Sequence, residues 1–399
     1  MTLIDDAVVA EAASRAWPAA GDDERRTLAA RAAWTVLAEP GDGVAGALVA
    51  EAGAEEALCM AAGGPGDLEF ETALAARRLA SARARWRPRI DAGLLASTLD
   101  EATRSGLSLL TPDHAAWPSQ LGDLGVHAPL ALWVRGDVGA LARLVRSVAI
   151  VGARAATPYG EHVAAELAAE LSDRGVAVVS GAAYGIDGAA HRAALGSGGL
   201  TVAMVAGGAN LVYPAGHARL FAELARAGAI ASETAPGATP TKWRFLQRNR
   251  LIAAGSAATI VVEAGARSGT LNTAGHAAAL GRPLGAVPGP VTSSTSAGCH
   301  RLLREYDAQC ITGAADVLEL IGERGAESSE HERRPSAHEV RARDALSSRT
   351  PRSLDDVARR SGMSPADVQA ALGLLELAGS VRRAEGGWVL AGREERPRR

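Results

Sequence analysis

The sequence predicts an α/β protein built on an extended, Rossmann-like, mainly parallel sheet, with an N-terminal helical domain and a C-terminal winged-helix domain. Three observations carry that prediction. Two short apolar runs, Val148-Ala149-Ile150-Val151 and Val176-Ala177-Val178-Val179, each empty directly into a glycine-bearing turn. Further apolar runs follow, separated by stretches of helical length, which is the pattern of strands alternating with crossover helices. The strands are apolar throughout rather than alternating, as strands covered on both faces are. An apolar content of 47 % supplies enough side chains for such a core.

Taken in order, residues 1–105 read as a helical (SAM-like) domain rich in alanine, leucine and arginine, broken at Gly41-Asp42-Gly43 and Gly63-Gly64-Pro65-Gly66. Its first helix is expected to bury Val8, Ala12 and Ala16, at roughly helical spacing. Residues 106–146 read as a connector. Turn signals at Thr111-Pro112 and Trp117-Pro118 punctuate it, and it holds one strand, 130–134. The Rossmann-like domain spans 147–321. Strands are expected at 147–151, 176–180, 200–205, 229–232, 258–262, 284–287 and 308–312. Helices are expected at 158–174, 186–196, 216–227, 242–255, 270–280 and 314–321. Residues 322–338 lose all apolar periodicity and read as a solvated linker. Three helical stretches and a two-stranded wing follow in 339–392. Ser353 and Ser364-Pro365 mark two helix starts on either side of a glycine turn, the grammar of a helix-turn-helix. Residues 393–399 form a basic tail.

Composition narrows the function. No apolar run reaches the 18 residues of a membrane span, and the first residues lack a signal-peptide pattern. The three cysteines, Cys59, Cys299 and Cys310, form no CxxC pair, so neither a disulfide framework nor a zinc site is expected. A cytoplasmic location fits. The net charge of −3 does not announce a nucleic-acid binder, so local clustering has to make that case. Lys242 is the only lysine among 42 basic residues. Arginine abundance is therefore a compositional habit and not in itself a sign of phosphate binding.

Five segments carry the candidate chemistry, four at strand ends and one at the start of an expected helix. In Gly152-Ala153-Arg154 the glycine lets an anion approach the backbone, and the arginine offers a fork of donors suited to phosphate. GxGxxG and GxxxxGK[ST] are both absent, so nucleotide binding of those types is not expected. Ser180-Gly181 leads to Asp187 and His191, four apart on one helix face. They read either as an acid–base or metal pair, or as a capping residue with a hydrogen-bonded helix residue. Tyr213 either stacks on a base or packs in its turn. Lys242-Trp243-Arg244-Phe245-Leu246-Gln247-Arg248-Asn249-Arg250 interleaves cations with aromatic rings, as single-stranded nucleic-acid grooves do. Ser268-Gly269-Thr270 opens a helix and is a ready phosphate cradle. Glu263, at the preceding strand end, reads as a catalytic acid or as a group that orders its neighbours.

These residues, in order, resemble the DNA-processing protein A (DprA/Smf) family. The resemblance runs through Val151-Gly152-Ala153-Arg154, Ser180 to Asp187 with His191, Tyr213-Pro214, Ser232-Glu233, Arg248-Asn249-Arg250, Glu263 with Ser268-Gly269-Thr270, and Pro288-Gly289. It is tight over about 110–320. It implies a single-stranded DNA-binding protein of natural transformation that protects incoming strands, loads the RecA recombinase and forms a homodimer. No catalysis, cofactor or metal is implied. By position it makes Gly152, Arg154, Gly181, Lys242, Arg248, Asn249, Arg250, Ser268, Gly269 and Thr270 the DNA-binding set. The sequence departs from the family at Leu246, where proline is usual, at His300, where asparagine is common, and around Tyr306. Two rival readings stand beside it. A nucleotide phosphoribohydrolase-like enzyme would need tandem glycines that 264–270 lacks. A winged-helix transcription regulator would need base-reading donors that 365–378 largely lacks.

Overall fold

The computed structural model describes residues 3–63, 73–323 and 336–391. They fall into two compact units, Met1–Arg324 and Gly325–Arg399.

The first unit opens with five helices: α1 (Ala7–Ala16), α2 (Asp22–Leu37), α3 (Gly43–Ala61), α4 (Ala73–Trp86) and α5 (Ala92–Arg104). Asp6, Asp42 and Asp91 cap the starts of α1, α3 and α5 by accepting from first-turn backbone N–H groups. Gly41-Asp42-Gly43 is thus the break between α2 and α3, as expected. The second expected break lies, beyond Gly63, outside the described residues. Trp34 and Trp86 meet edge to face at 5.2 Å in the core of this bundle, and the Trp34 indole donates to the Ala54 carbonyl at 3.0 Å. On α1 the buried stripe is Val9, Ala12 and Ala13, while Val8 is 50 % exposed. The expectation for Val8 was one residue out of register, because i, i+3, i+4 counted from Val9 is the face turned to α5.

A nine-stranded sheet follows, in the order β1-β2-β6-β5-β4-β3-β7-β8-β9. Strands β1 (Ser108–Leu110) and β2 (Leu132–Gly136) come from the expected connector and extend the sheet, β2 antiparallel to β6 and β1 antiparallel to β2. The three-residue β1 was not expected. α6 (Gly139–Ala142) leads into β3 (Ser147–Val151), after which strands and helices alternate. They are α7 (Pro158–Asp173), β4 (Ala177–Ser180), α8 (Ile186–Gly196), β5 (Thr201–Met204), α9 (Ala218–Ala227) and β6 (Ala229–Ser232). Then come α10 (Lys242–Ala254), β7 (Ala258–Val261), α11 (Thr270–Ala279), β8 (Leu284–Ala286), α12 (Ala297–Glu305), β9 (Gln309–Cys310) and α13 (Ala314–Leu320). The helix α12 was not anticipated. Strands β6 to β9 of the sheet order are parallel, in register Val148↔Val178 on one side of β3 and Val151↔Val261 on the other. The chain runs outward from β3 to β6, then returns to β7 on the other flank of β3. That reversal makes the carboxyl ends of β3, β4 and β7 a topological switch point.

The N-terminal helices share one core with the sheet, where Trp34 and Leu99 pack in the same cluster as Trp133, Ala203 and Ile230. On the opposite face α7 and α8 bury Val148, Ile150 and Val178. Among the described residues no helix is long and apolar enough to cross a membrane.

The second unit holds α14 (Ala337–Asp344), α15 (Leu354–Ser361), α16 (Pro365–Leu377) and the antiparallel pair β10 (Val381–Ala384) and β11 (Gly387–Leu390). Ser353 and Ser364 cap their helices as expected, and a full capping box joins Ser336 to Glu339. Three helices and a two-stranded wing make a winged helix. Residues 324–335 of the linker and the basic tail lie outside the described residues.

Candidate nucleic-acid interface

The switch point carries a cleft of about 630 Å³. Its floor and one lip come from the turn after β3, including Gly152 and Arg154. The facing wall is α10, with Lys242, Phe245, Leu246, Arg248 and Asn249. The N-terminus of α11, with Ser268, Gly269 and Thr270, closes one end, and Tyr213 stands at the other. Eight of the ten residues expected to bind DNA therefore line one cleft. Gly181 lies just beneath it, and Arg250 points elsewhere.

Aromatic rings organise the cations. Arg154 is exposed and lies over the Phe245 ring, 4.6 Å from its centroid, and Arg248 approaches the same ring at 5.7 Å. Tyr213, half exposed, tilts against Phe245 at 5.6 Å. Lys242 is exposed in the first turn of α10, one helical turn from Phe245. Phe245 and Tyr213 were not in the expected DNA-binding set. The signal for Phe245 was its i+3 spacing from Lys242, which puts both on one face of a helix.

Arg248 is a different kind of residue. It is 5 % exposed and donates to the carbonyls of Gly181, at 2.8 Å, and of Met204. Gly181 has to be glycine because a Cβ there would overlap the Arg248 guanidinium. Asp187 lies close by and accepts from the backbone N–H of Gly181 at 3.1 Å and of Ala183 at 3.4 Å. Burial pushes the Arg248 guanidinium down to about 10, opposed by the charge of Asp187, so it stays protonated at neutral pH. Burial likewise raises the Asp187 carboxyl, against the pull of Arg248. Arg248 thus ties the ends of β4 and β5 together and lends the cleft a fixed positive floor.

Arg250 faces the other way. It is 3 % exposed, pairs with Glu233 at 2.7 Å and donates to the His127 carbonyl at 3.1 Å. Successive helical residues turn by about 100°, so Arg248 and Arg250 point roughly 200° apart and cannot both reach one cleft. The expectation that Arg250 contacts DNA meets that geometry and gives way to a structural pairing. Asn249 lines the cleft and donates to Asn272 at 3.1 Å. Thr270 donates to the Gly152 carbonyl at 3.0 Å, and Ser268 caps the backbone N–H of Thr270 at 3.2 Å, so the two turns are laced together.

The two acid candidates have structural partners. Glu263, 2 % exposed, accepts from the Thr157 backbone N–H at 2.9 Å, the Thr157 hydroxyl at 2.6 Å and the Thr295 hydroxyl at 3.1 Å. It holds the start of α7 and stays out of the cleft. His191 is fully buried, bonded through Nδ1 to the Thr201 hydroxyl at 2.7 Å, and burial drives its pKa down to about 3. Of the two readings of Asp187 and His191, the geometry matches the structural one. Among the described residues no group of three or more metal-type ligands comes together. The departure at His300 is accommodated by a bond from its Nε2 to the Gly289 carbonyl at 3.0 Å.

These elements make an α/β protein that joins a Rossmann-like sheet, with a cationic cleft at its switch point, to a winged helix. Residues 108–322 match the family DNA recombination-mediator protein A, and 326–387 match the DprA winged helix domain. The chain belongs to this DprA/Smf family. A Mycobacterium tuberculosis protein named DNA processing protein DprA is 47 % identical over 309 residues, covering 73 % of this chain and 79 % of the relative. The Smf protein of Escherichia coli is 35 % identical over 292 residues, covering 70 % and 76 % respectively. The crystal structure of DprA from Streptococcus pneumoniae superimposes with a TM-score of 0.54 at 32 % identity, covering 60 % of this chain and 84 % of that one.

Proposed function

We propose that the chain is a non-enzymatic single-stranded DNA-binding protein of DNA uptake and natural transformation. In this reading it shields incoming single strands as a homodimer in the cytoplasm and loads the RecA recombinase onto them. The observation that carries the reading is the convergence on one cleft of two exposed cations, Arg154, which lies over the Phe245 ring, and Lys242, one helical turn before that ring. Cations beside an aromatic face suit a flexible strand, whose phosphates and bases are presented together. Ser268, Gly269 and Thr270 line the same cleft at the start of α11, where the helix dipole favours a further phosphate. Phosphate contacts carry no base information, so sequence preference should be slight. The non-enzymatic half of the proposal draws on Glu263, whose carboxylate is occupied by Thr157 and Thr295.

Gel-shift titration of Arg154→Ala and Lys242→Ala tests the site. Each should weaken binding to any single strand by about tenfold, the scale of one charge-assisted contact, and leave the circular dichroism spectrum unchanged. Wild-type affinity in both variants would remove the cleft from the account. A strand-exchange assay, with RecA on coated single strands, tests the loading step.

A further inference from the structure

The cleft is too small to be the whole path of a strand. Its α10 wall begins at Lys242, and the next residue, Trp243, is 57 % exposed and does not line the cleft. An indole held open to solvent between an exposed lysine and Arg244 is an unused stacking face. Beyond it the surface passes to the N-terminal helices. Glu39 receives Arg244 at 3.0 Å and Arg89 at 2.6 Å, so one carboxylate joins the start of α10 to the segment that follows α4. That carboxylate offsets only one of its two guanidinium charges. Residues 73–90 contain six arginines and no acidic residue. Arg83 and Arg89 hold the bundle together through the carbonyls of Met60 and Leu37. The Arg87 side chain is exposed and makes no hydrogen bond or ion pair among the described residues. Arg85 is exposed, with one ion-pair partner, Asp42 at 3.3 Å, and a long hydrogen bond to the Ser81 hydroxyl at 3.4 Å. Asp42 keeps its bonds to the start of α3 and to the Trp86 indole without it.

We infer that a single strand leaving the cleft at Lys242 continues over Trp243 onto Arg85 and Arg87 of the helical bundle, which is thereby a second phosphate-binding surface. The inference rests on the single-strand reading of the cleft. The chemistry is the same on both surfaces: guanidinium forks on phosphate oxygens and an indole face under a base. The second surface adds length to the footprint. A strand confined to the cleft gains nothing from it.

Oligonucleotide length separates the two surfaces. Fluorescence anisotropy of the full chain is measured with strands of about 6 and about 16 nucleotides, the span of small and large single-strand footprints. Trp243→Ala and the double variant Arg85→Ala/Arg87→Ala should each weaken binding of the longer strand by about tenfold and leave the shorter one unaffected. The double variant should also flatten the plot of log affinity against log salt by about 1.4 for the longer strand, two phosphates at about 0.7 each. Wild-type affinity and slope for the longer strand in these variants, with Arg154→Ala still defective, would overturn the extended track and leave the cleft standing. Wild-type binding by Arg154→Ala would overturn the cleft and the track with it.

Discussion

At the residue scale the cleft depends on groups that are almost wholly buried. Arg248 occupies the space that a side chain at Gly181 would need, and through it the ends of β4 and β5 are held together under the binding surface. His191 lies in the same supporting layer. Its Nδ1 pairs with Thr201, whose hydroxyl in turn donates to Val178, and the ring is neutral because burial lowers its pKa to about 3. Between that value and about 6.5, the unfolded chain binds a proton at this position and the native chain does not. Stability therefore falls as pH drops through that window, by up to about 1.4 kcal/mol per pH unit from this residue, and is unaffected by it above the window. Urea denaturation at several pH values between 4 and 7 checks this. His191→Gln should lose stability less steeply on acidification than the wild type, and parallel slopes would contradict the assignment. The sequence showed Asp187 and His191 four apart on a helix. It could not show that Thr201, on the neighbouring strand, occupies the imidazole, because that contact is made only when β4 and β5 pair.

At the scale of elements, α10 has two working faces. Lys242, Phe245 and Asn249 serve the cleft, while Arg244 and Arg250 anchor the helix to Glu39 and Glu233. The Arg248-Asn249-Arg250 motif looks like a cluster of DNA contacts when read as letters and is split by helical rotation when folded. Arg250→Ala should therefore act on stability. Removing one partner of a buried ion pair costs about 3–5 kcal/mol, and here it strands Glu233 beneath Gly41, whose backbone N–H it accepts at 3.2 Å. A lowered urea midpoint is expected, with single-strand affinity retained under conditions where the variant is folded. An unchanged midpoint with lost affinity would return Arg250 to the DNA-binding set. In the winged helix, α16 carries Asp367, Gln369 and Glu376 at exposed positions, a poor set of donors for reading base edges.

At the scale of the whole molecule, β3 and β4 were legible because each is a largely apolar run that leads into a glycine-bearing turn. The switch point was legible from the same runs, since chemistry-bearing turns follow β3, β4 and β7. Two elements were missed, the three-residue β1 and the nine-residue α12, although the shorter α13 was expected. Nor did the sequence show that the N-terminal helices share a core with the sheet. Their alanine-rich faces are equally suited to packing among themselves, and the joint shows only in the folded core, as where Trp133 shares a cluster with Trp34. That packing brings the arginines after α4 to the start of α10, and with them a charge distribution that the net charge of −3 conceals.

The central claim is that the cleft grips the phosphates of a single strand. Its most direct test is the salt dependence of binding, measured by anisotropy for a single strand and for a duplex of the same sequence, with wild type and Arg154→Ala. The account predicts preference for the single strand, a linear fall of log affinity with log salt, and a slope reduced by about 0.7 in Arg154→Ala, the loss of one phosphate contact. Affinity independent of salt, or an identical slope in wild type and Arg154→Ala, would contradict it.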